Sequence, residues 1–137
     1  MQAYDVKKYI PQDEPFVMIS DLLSVSETEA VSVFYIDDKC IFVKDGFLDE
    51  SGIVENIAQT AAAMSGYNQI KNGGEVKKGF IGSVESLNIC NLPVSNSSLE
   101  TKVIIKNVVM DVNIIKGTVQ QKNEIIAECR MKIFLNR

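Results

Sequence analysis

Twenty residues near the middle of this 137-residue chain decide most of what it can fold into. From Ser51 to about Ile70 the sequence reads as one helix, with Ser51 as a candidate N-cap and Asn72-Gly73-Gly74 as a candidate stop. Its body, Ile53-Val54-Glu55-Asn56-Ile57-Ala58-Gln59-Thr60-Ala61-Ala62-Ala63-Met64, is apolar or small on nearly every side. A surface helix carries one apolar stripe, whereas a helix that is apolar almost all round belongs in an interior. Loops cannot wrap such a helix, because their own backbone groups would be buried without partners. The helix therefore calls for a sheet.

The rest of the chain supplies strands. Phe16 to Ile36 predicts two of them, at about 17–25 and 30–36, separated by Ser26-Glu27-Thr28-Glu29. Asp37 to Glu50 reads as a loop or irregular crossing. After the helix come Phe80–Leu92, Leu99–Ile105 and Val108–Ile115. In the last run, Ile125, Ala127, Cys129, Met131, Ile133 and Leu135 alternate with Ile126, Glu128, Arg130, Lys132, Phe134 and Asn136, the period of a half-buried strand. Gln121-Lys122-Asn123-Glu124 is the expected hairpin turn before it. Near the start, residues 4–10 fit one helical turn stopped by Pro11, and Pro11 to Pro15 cannot lie in a central strand. The order is two strands, one long helix, then about four antiparallel strands. That is an α+β chain with a single domain over residues 1–137, built as one long buried central helix wrapped by a curved antiparallel sheet of about six strands, the hotdog architecture. Such a sheet leaves free edges, and pairing of two protomers along an edge is a common remedy, so a dimer is expected.

Composition narrows the chemistry. Lys plus Arg is 14 and Asp plus Glu is 18, a net charge of −4, which argues against nucleic acid as a partner. The chain contains no histidine, which removes every imidazole base, zinc ligand and triad. Cys40, Cys90 and Cys129 are odd in number and widely spaced, so they read as buried or half-buried free thiols of a reducing cytoplasm rather than as disulfides or metal ligands. Met1 to Lys8 lacks the apolar core of a secretion signal, and the longest charge-free stretch, Asn56 to Ile70, is too short and too polar to span a membrane. No phosphate-binding glycine loop, Walker motif or CxxC is present, and no cofactor is expected.

A few residues can carry chemistry. Glu55 is an acid in an otherwise apolar helix. It fits either a carboxylate at the base of an acyl pocket or a first-turn acid that complements the helix dipole. Gln59, one turn on, shares its face and can hold a thioester or a water, or be satisfied by a neighbouring strand. Gly52 lies where backbone N–H groups can polarise a carbonyl oxygen, or where close packing requires a glycine. Gln12 is a hydrogen-bonding amide or a surface loop residue. Lys71, Lys77 and Lys78 can form a basic spot for the phosphate of phosphopantetheine or coenzyme A, or simply sit where the helix dipole favours cations.

Four segments in order carry a family resemblance. Tyr9-Ile10-Pro11-Gln12-Asp13-Glu14-Pro15-Phe16 resembles the LPHRxPF opening of β-hydroxyacyl-acyl-carrier-protein dehydratases, and Glu55-Asn56-Ile57-Ala58-Gln59-Thr60-Ala61-Ala62 resembles their helical EAxAQxAG motif. Phe80-Ile81-Gly82 resembles the glycine-containing strand after the helix, and Leu92-Pro93-Val94 the later xPV turn. The likeness covers nearly the whole chain and extends to the divergent dehydratase-like hotdog proteins of aryl-polyene pigment clusters. It implies an acyl-thioester tunnel in which Glu55 matches the family's helical catalytic acid, with Gln12, Ile41, Phe42, Gly52, Phe80 and Gly82 around the substrate. It also exposes a departure. The family carries its catalytic histidine in a GHF triplet fourteen residues before the acid, and here that triplet is Cys40-Ile41-Phe42, with Ile41 in the histidine's place. The opening-motif histidine is likewise Gln12.

Three functions remain open. The chain binds an acyl thioester, on an acyl carrier protein or coenzyme A, without dehydratase activity of its own. In that case it acts as a homodimer or as the partner of a second hotdog protein that brings the histidine to Glu55. Alternatively it is a thioesterase, as hotdog thioesterases need no histidine; Glu55 would be base or nucleophile, with Gln59 and the Gly52 amide assisting. Or it is a structural subunit with no site.

Overall fold

The computed structural model describes residues 6–10, 12–76 and 79–135. A 3-10 turn at Val6–Lys8 is followed by β1 (Asp21–Val25), β2 (Glu29–Ile36), β3 (Val43–Lys44), β4 (Phe47–Leu48), helix α1 (Glu50–Lys71), β5 (Gly79–Ile89), β6 (Ser97–Val109), β7 (Val112–Gln121) and β8 (Glu124–Leu135). Six strands form one antiparallel sheet in the order β1-β2-β6-β7-β8-β5, and β3-β4 is a separate small hairpin. With α1 against this sheet, the chain is the α+β hotdog fold expected from its pattern.

The helix is buried on most sides, through Ile53, Asn56, Ile57, Gln59, Thr60, Ala61, Ala63 and Met64 among others. Leu99, Val103, Ile115, Val119 and Met131 of β6, β7 and β8 complete the core. Gly117 of β7 sets how near the helix can come, because a β-carbon there would overlap the Ile57 side chain.

Several boundaries differ from the sequence reading, each for a local reason. The N-cap is Asp49 rather than Ser51: its backbone is extended and its Oδ1 accepts from the Gly52 N–H at 2.9 Å. Asn72 caps the other end, as expected from the Asn72-Gly73-Gly74 stop. β1 starts at Asp21, not residue 17, since the backbone of Phe16 and Met18 bonds to helix side chains instead of a neighbouring strand. The expected irregular crossing at 37–50 contains the β3-β4 hairpin, turned by Asp45 and Gly46 at positive φ. β6 runs on to Val109 through a register shift at Ile105/Asn107, so its turn falls at Met110-Asp111, beyond the break expected near residue 106. The Lys122-Asn123 hairpin turn lies where the sequence puts it, both residues at positive φ as a two-residue loop requires.

Candidate active-site cavity

Two helix side chains tie the N-terminal segment to α1. Gln59 Oε1 accepts from the Met18 N–H at 2.7 Å, and its Nε2 donates to the Phe16 carbonyl at 2.8 Å and to Glu55 Oε2 at 3.2 Å. Asn56 Nδ2 donates to the Met18 carbonyl at 2.8 Å, and its Oδ1 accepts from the Thr101 hydroxyl. Thr60 Oγ1 donates to the Asn56 carbonyl at 2.8 Å and meets Ser32 Oγ at 2.7 Å. Asn56, Gln59, Thr60, Ser32 and Thr101 are all buried, so a band of satisfied polar groups runs through the apolar core and fixes the loop before β1.

Glu55 sits at the edge of that band, half-buried, with its carboxylate held by Gln59. Because α1 begins at Glu50, the first-turn acid is Glu50, and Glu55 lies in the second turn. Dipole complementation fades beyond the first turn, so that alternative for Glu55 loses its basis. Glu55 instead lines a cavity of about 300 Å³. Ala58, Ala61 and Ala62 of the helix leave the space open, Ile115 and Ile133 of the sheet form its apolar wall, and Gly79, Phe80 and Ile81 of β5 form its rim. Asn113, Ser65 and Gln12 add polar groups. The Gln12 Oε1 atom is buried and has no hydrogen-bond partner among the described residues. A carboxyl group on such a cavity can take a proton from, or deliver one to, a thioester's neighbouring carbons; among the described residues no second acid-base group lines the same space.

The other sequence-derived candidates fall elsewhere. Both Nε2 hydrogens of Gln59 are engaged, so its amide orients Glu55. The Gly52 N–H is taken by Asp49, and a β-carbon at Gly52 would overlap the side chains of Leu48 and Phe42. Half-buried Phe42 thus packs on the helix start, and its carbonyl accepts from the Asp49 N–H at 2.8 Å. Ile41 lines a different cavity, about 500 Å³, with Met18, Phe34, Tyr35 and Cys40. Gly82 lies under the Phe134 ring, which a β-carbon would strike. Lys71 ends the helix, exposed; Lys77 and Lys78 lie outside the described residues, as does Pro11. The sequence reading did not single out Asn56, Thr60, Thr101 or Ser32. Asn56 and Thr60, one turn apart in an apolar helix, were the available signal.

The thiols also need one correction. Cys40 is half-buried and Cys129 buried, but Cys90 is exposed, at the point where β5 leaves the sheet. Burial raises the Cys40 thiol above its ordinary pKa and pushes Cys129 up to about 11. No helix among the described residues is long and apolar enough to cross a membrane.

Fold and cavity together define a hotdog protein with an acid on its central helix. The sequence matches the family described as ApeP-like, ApeP dehydratase, over residues 4–137, and the chain belongs to that family. Among solved structures it is similar to a chain of the dehydratase heterocomplex ApeI:P from Xenorhabdus doucetiae, with a TM-score of 0.83 at 14% identity, covering 96% of this chain and 91% of that one. It is also similar to smu.793 from Streptococcus mutans UA159 bound to acetyl CoA, with a TM-score of 0.71 at 13% identity, covering 93% and 96%. The Escherichia coli PaaI protein of the phenylacetic acid degradation operon matches at a TM-score of 0.65 and 9% identity, covering 82% and 80%. At these identities the likeness is one of fold. No curated protein matches the sequence significantly.

Proposed function

We propose that this chain is the acid-bearing, histidine-free half of a two-chain acyl-thioester site. It acts in the cytoplasm on a substrate carried by an acyl carrier protein or coenzyme A, and lacks dehydratase activity of its own. The observation that carries this reading is the position of Glu55: it lines a cavity whose rim is β5, the long free edge of the sheet. Position 41, which the family resemblance assigns to histidine, lines another cavity that shares no residue with the first. A histidine that meets Glu55 would therefore come from a second chain. Ile81 and Val84 on the edge strand β5 are exposed, and an apolar sheet edge is a ready surface for a second hotdog protein. The similar ApeI:P structure is a heterocomplex and the similar smu.793 structure holds acetyl CoA, which supports both parts of the reading.

The thioesterase alternative asks for a free Gly52 amide and a free Gln59 amide. Both are engaged, so it gains no support. A purely structural subunit has no use for a cavity-lining carboxylate held by a buried glutamine.

The test is to purify the chain alone and with a histidine-bearing hotdog protein encoded nearby, and to follow enoyl-thioester formation from a 3-hydroxyacyl thioester. The chain alone is expected to be inactive and the pair active. Glu55→Gln in this chain should lower the pair's rate by about 10²- to 10⁴-fold, the usual worth of a general acid or base. An unchanged rate in the Glu55→Gln pair would sink the proposal, and hydrolysis of thioesters by the chain alone would favour the thioesterase.

A further inference from the structure

The Glu55 cavity follows one face of α1. Glu55, Ala58, Ala62 and Ser65 recur at intervals of three and four residues, so the space runs along about 15 Å of helix. Met64 and Ser65, the helix residues of its lining farthest from Glu55, also line a second space of about 360 Å³. Asn68 and Asn72 from the end of the helix, Glu27 from the β1–β2 turn and Ile105 of β6 bound that second space. Only the Met64–Ser65 step is common to the two.

The backbone at this step is fixed. Asn68 Nδ2 donates to the Met64 carbonyl at 3.0 Å and to the Ser26 carbonyl at 2.9 Å, which pins the β1–β2 turn onto the helix. The Met64 side chain has no such tether. It is fully enclosed, 2% exposed, and held by packing alone. An unbranched thioether is the most adaptable of the apolar side chains, and Ser65 is too small to close the gap by itself.

We propose that the Met64 side chain is the partition that sets the length of acyl chain this protein accepts, and that its withdrawal joins the Glu55 cavity to the groove at the helix C-terminus. The inference rests on the acyl-thioester reading above and adds a length limit to it. The chain lies along the alanine face with its thioester toward Glu55, and its far end stops at Met64. Met64 and Ser65 are the only lining residues the two spaces share, so with Met64 in place further methylenes have no apolar space to enter.

The test uses the full chain in the assembly with which it purifies, and a series of saturated acyl-pantetheine thioesters of increasing length. The affinity of the native protein should rise about fourfold per methylene and then level off at one length. In Met64→Ala the levelling point should move to chains longer by roughly two to three methylenes, about the size of the atoms removed. Met64→Leu, which conserves volume, should leave it in place. Where Met64→Ala does not fold, Met64→Val should move the point the same way by about one methylene. A levelling point that stays fixed in a folded Met64→Ala or Met64→Val protein overturns this inference alone. Failure of the native protein to bind any thioester overturns the acyl-thioester reading as well.

Discussion

Replacing Asn56 with alanine removes the centre of the buried polar band. The change strands two groups, the Met18 carbonyl and the Thr101 hydroxyl, which have no other side-chain partner among the described residues. Each buried group left without a partner costs about 1–3 kcal/mol, so the loss should total about 2–6 kcal/mol. That is a large share of the 5–15 kcal/mol typical of a whole domain. With a urea slope of about 2 kcal/mol per M, the unfolding midpoint should fall by about 1–3 M. Thr101→Val supplies the decisive control. In the native background it orphans Asn56 Oδ1 and should destabilise. In the Asn56→Ala background it removes an orphaned hydroxyl and should stabilise. The two effects have opposite signs, so the double-mutant cycle should return a coupling of about 2–6 kcal/mol, the sum of two orphaned-group costs. If Thr101→Val costs the same in both backgrounds, the two side chains do not depend on one another and the reasoning fails. Losing Asn56 should also loosen the Phe16–Met18 segment, leaving it held to the helix by Gln59 and weakening the fixed position of Glu55.

Four further outcomes follow from particular residues. Gly66→Ala should destabilise by about 1–3 kcal/mol in urea unfolding, because a β-carbon there would overlap the Tyr9 carbonyl, a backbone group that cannot turn aside. A thiol reagent should label exposed Cys90 in the native protein at once and Cys129 only on unfolding; equal rates would contradict the burial of Cys129. The Cys129 thiol keeps its proton up to about pH 11 when folded, against an ordinary 9.0, so the unfolded chain releases it first. Stability should therefore fall with rising pH across that window by about 1.4 kcal/mol per pH unit, and Cys129→Ala should remove this part of the slope. Gln12→Leu should leave stability within about 1 kcal/mol of the native value or raise it, because it deletes a buried acceptor that has no donor among the described residues; a loss of several kcal/mol would mean that Oε1 is satisfied after all.

What was legible in the sequence divides along physical lines. The helix, the strand order and the final hairpin were readable because each rests on hydrophobic period or on turn residues, which are local. The failures were failures of partnership. Ser51 looked like an N-cap by residue type, yet Asp49 holds the cap because the backbone is extended there, and with it the Gly52 amide passed from a candidate oxyanion donor to a capped one. Residues 17–20 have strand composition, but their backbone groups were claimed by Gln59 and Asn56, more than thirty-five positions away. The same long-range bonds changed the meaning of Gln59. Taken alone it is an amide that can serve substrate or water; in place, both its donors and its acceptor are engaged, and what it does for the site is hold Glu55. The carboxyl group of the cavity is thus positioned by the device that anchors the N-terminal segment. A buried glutamine that orients one carboxylate presents that carboxylate to the cavity, and on the reading proposed above the base that complements it comes from a second chain, since this one has no histidine.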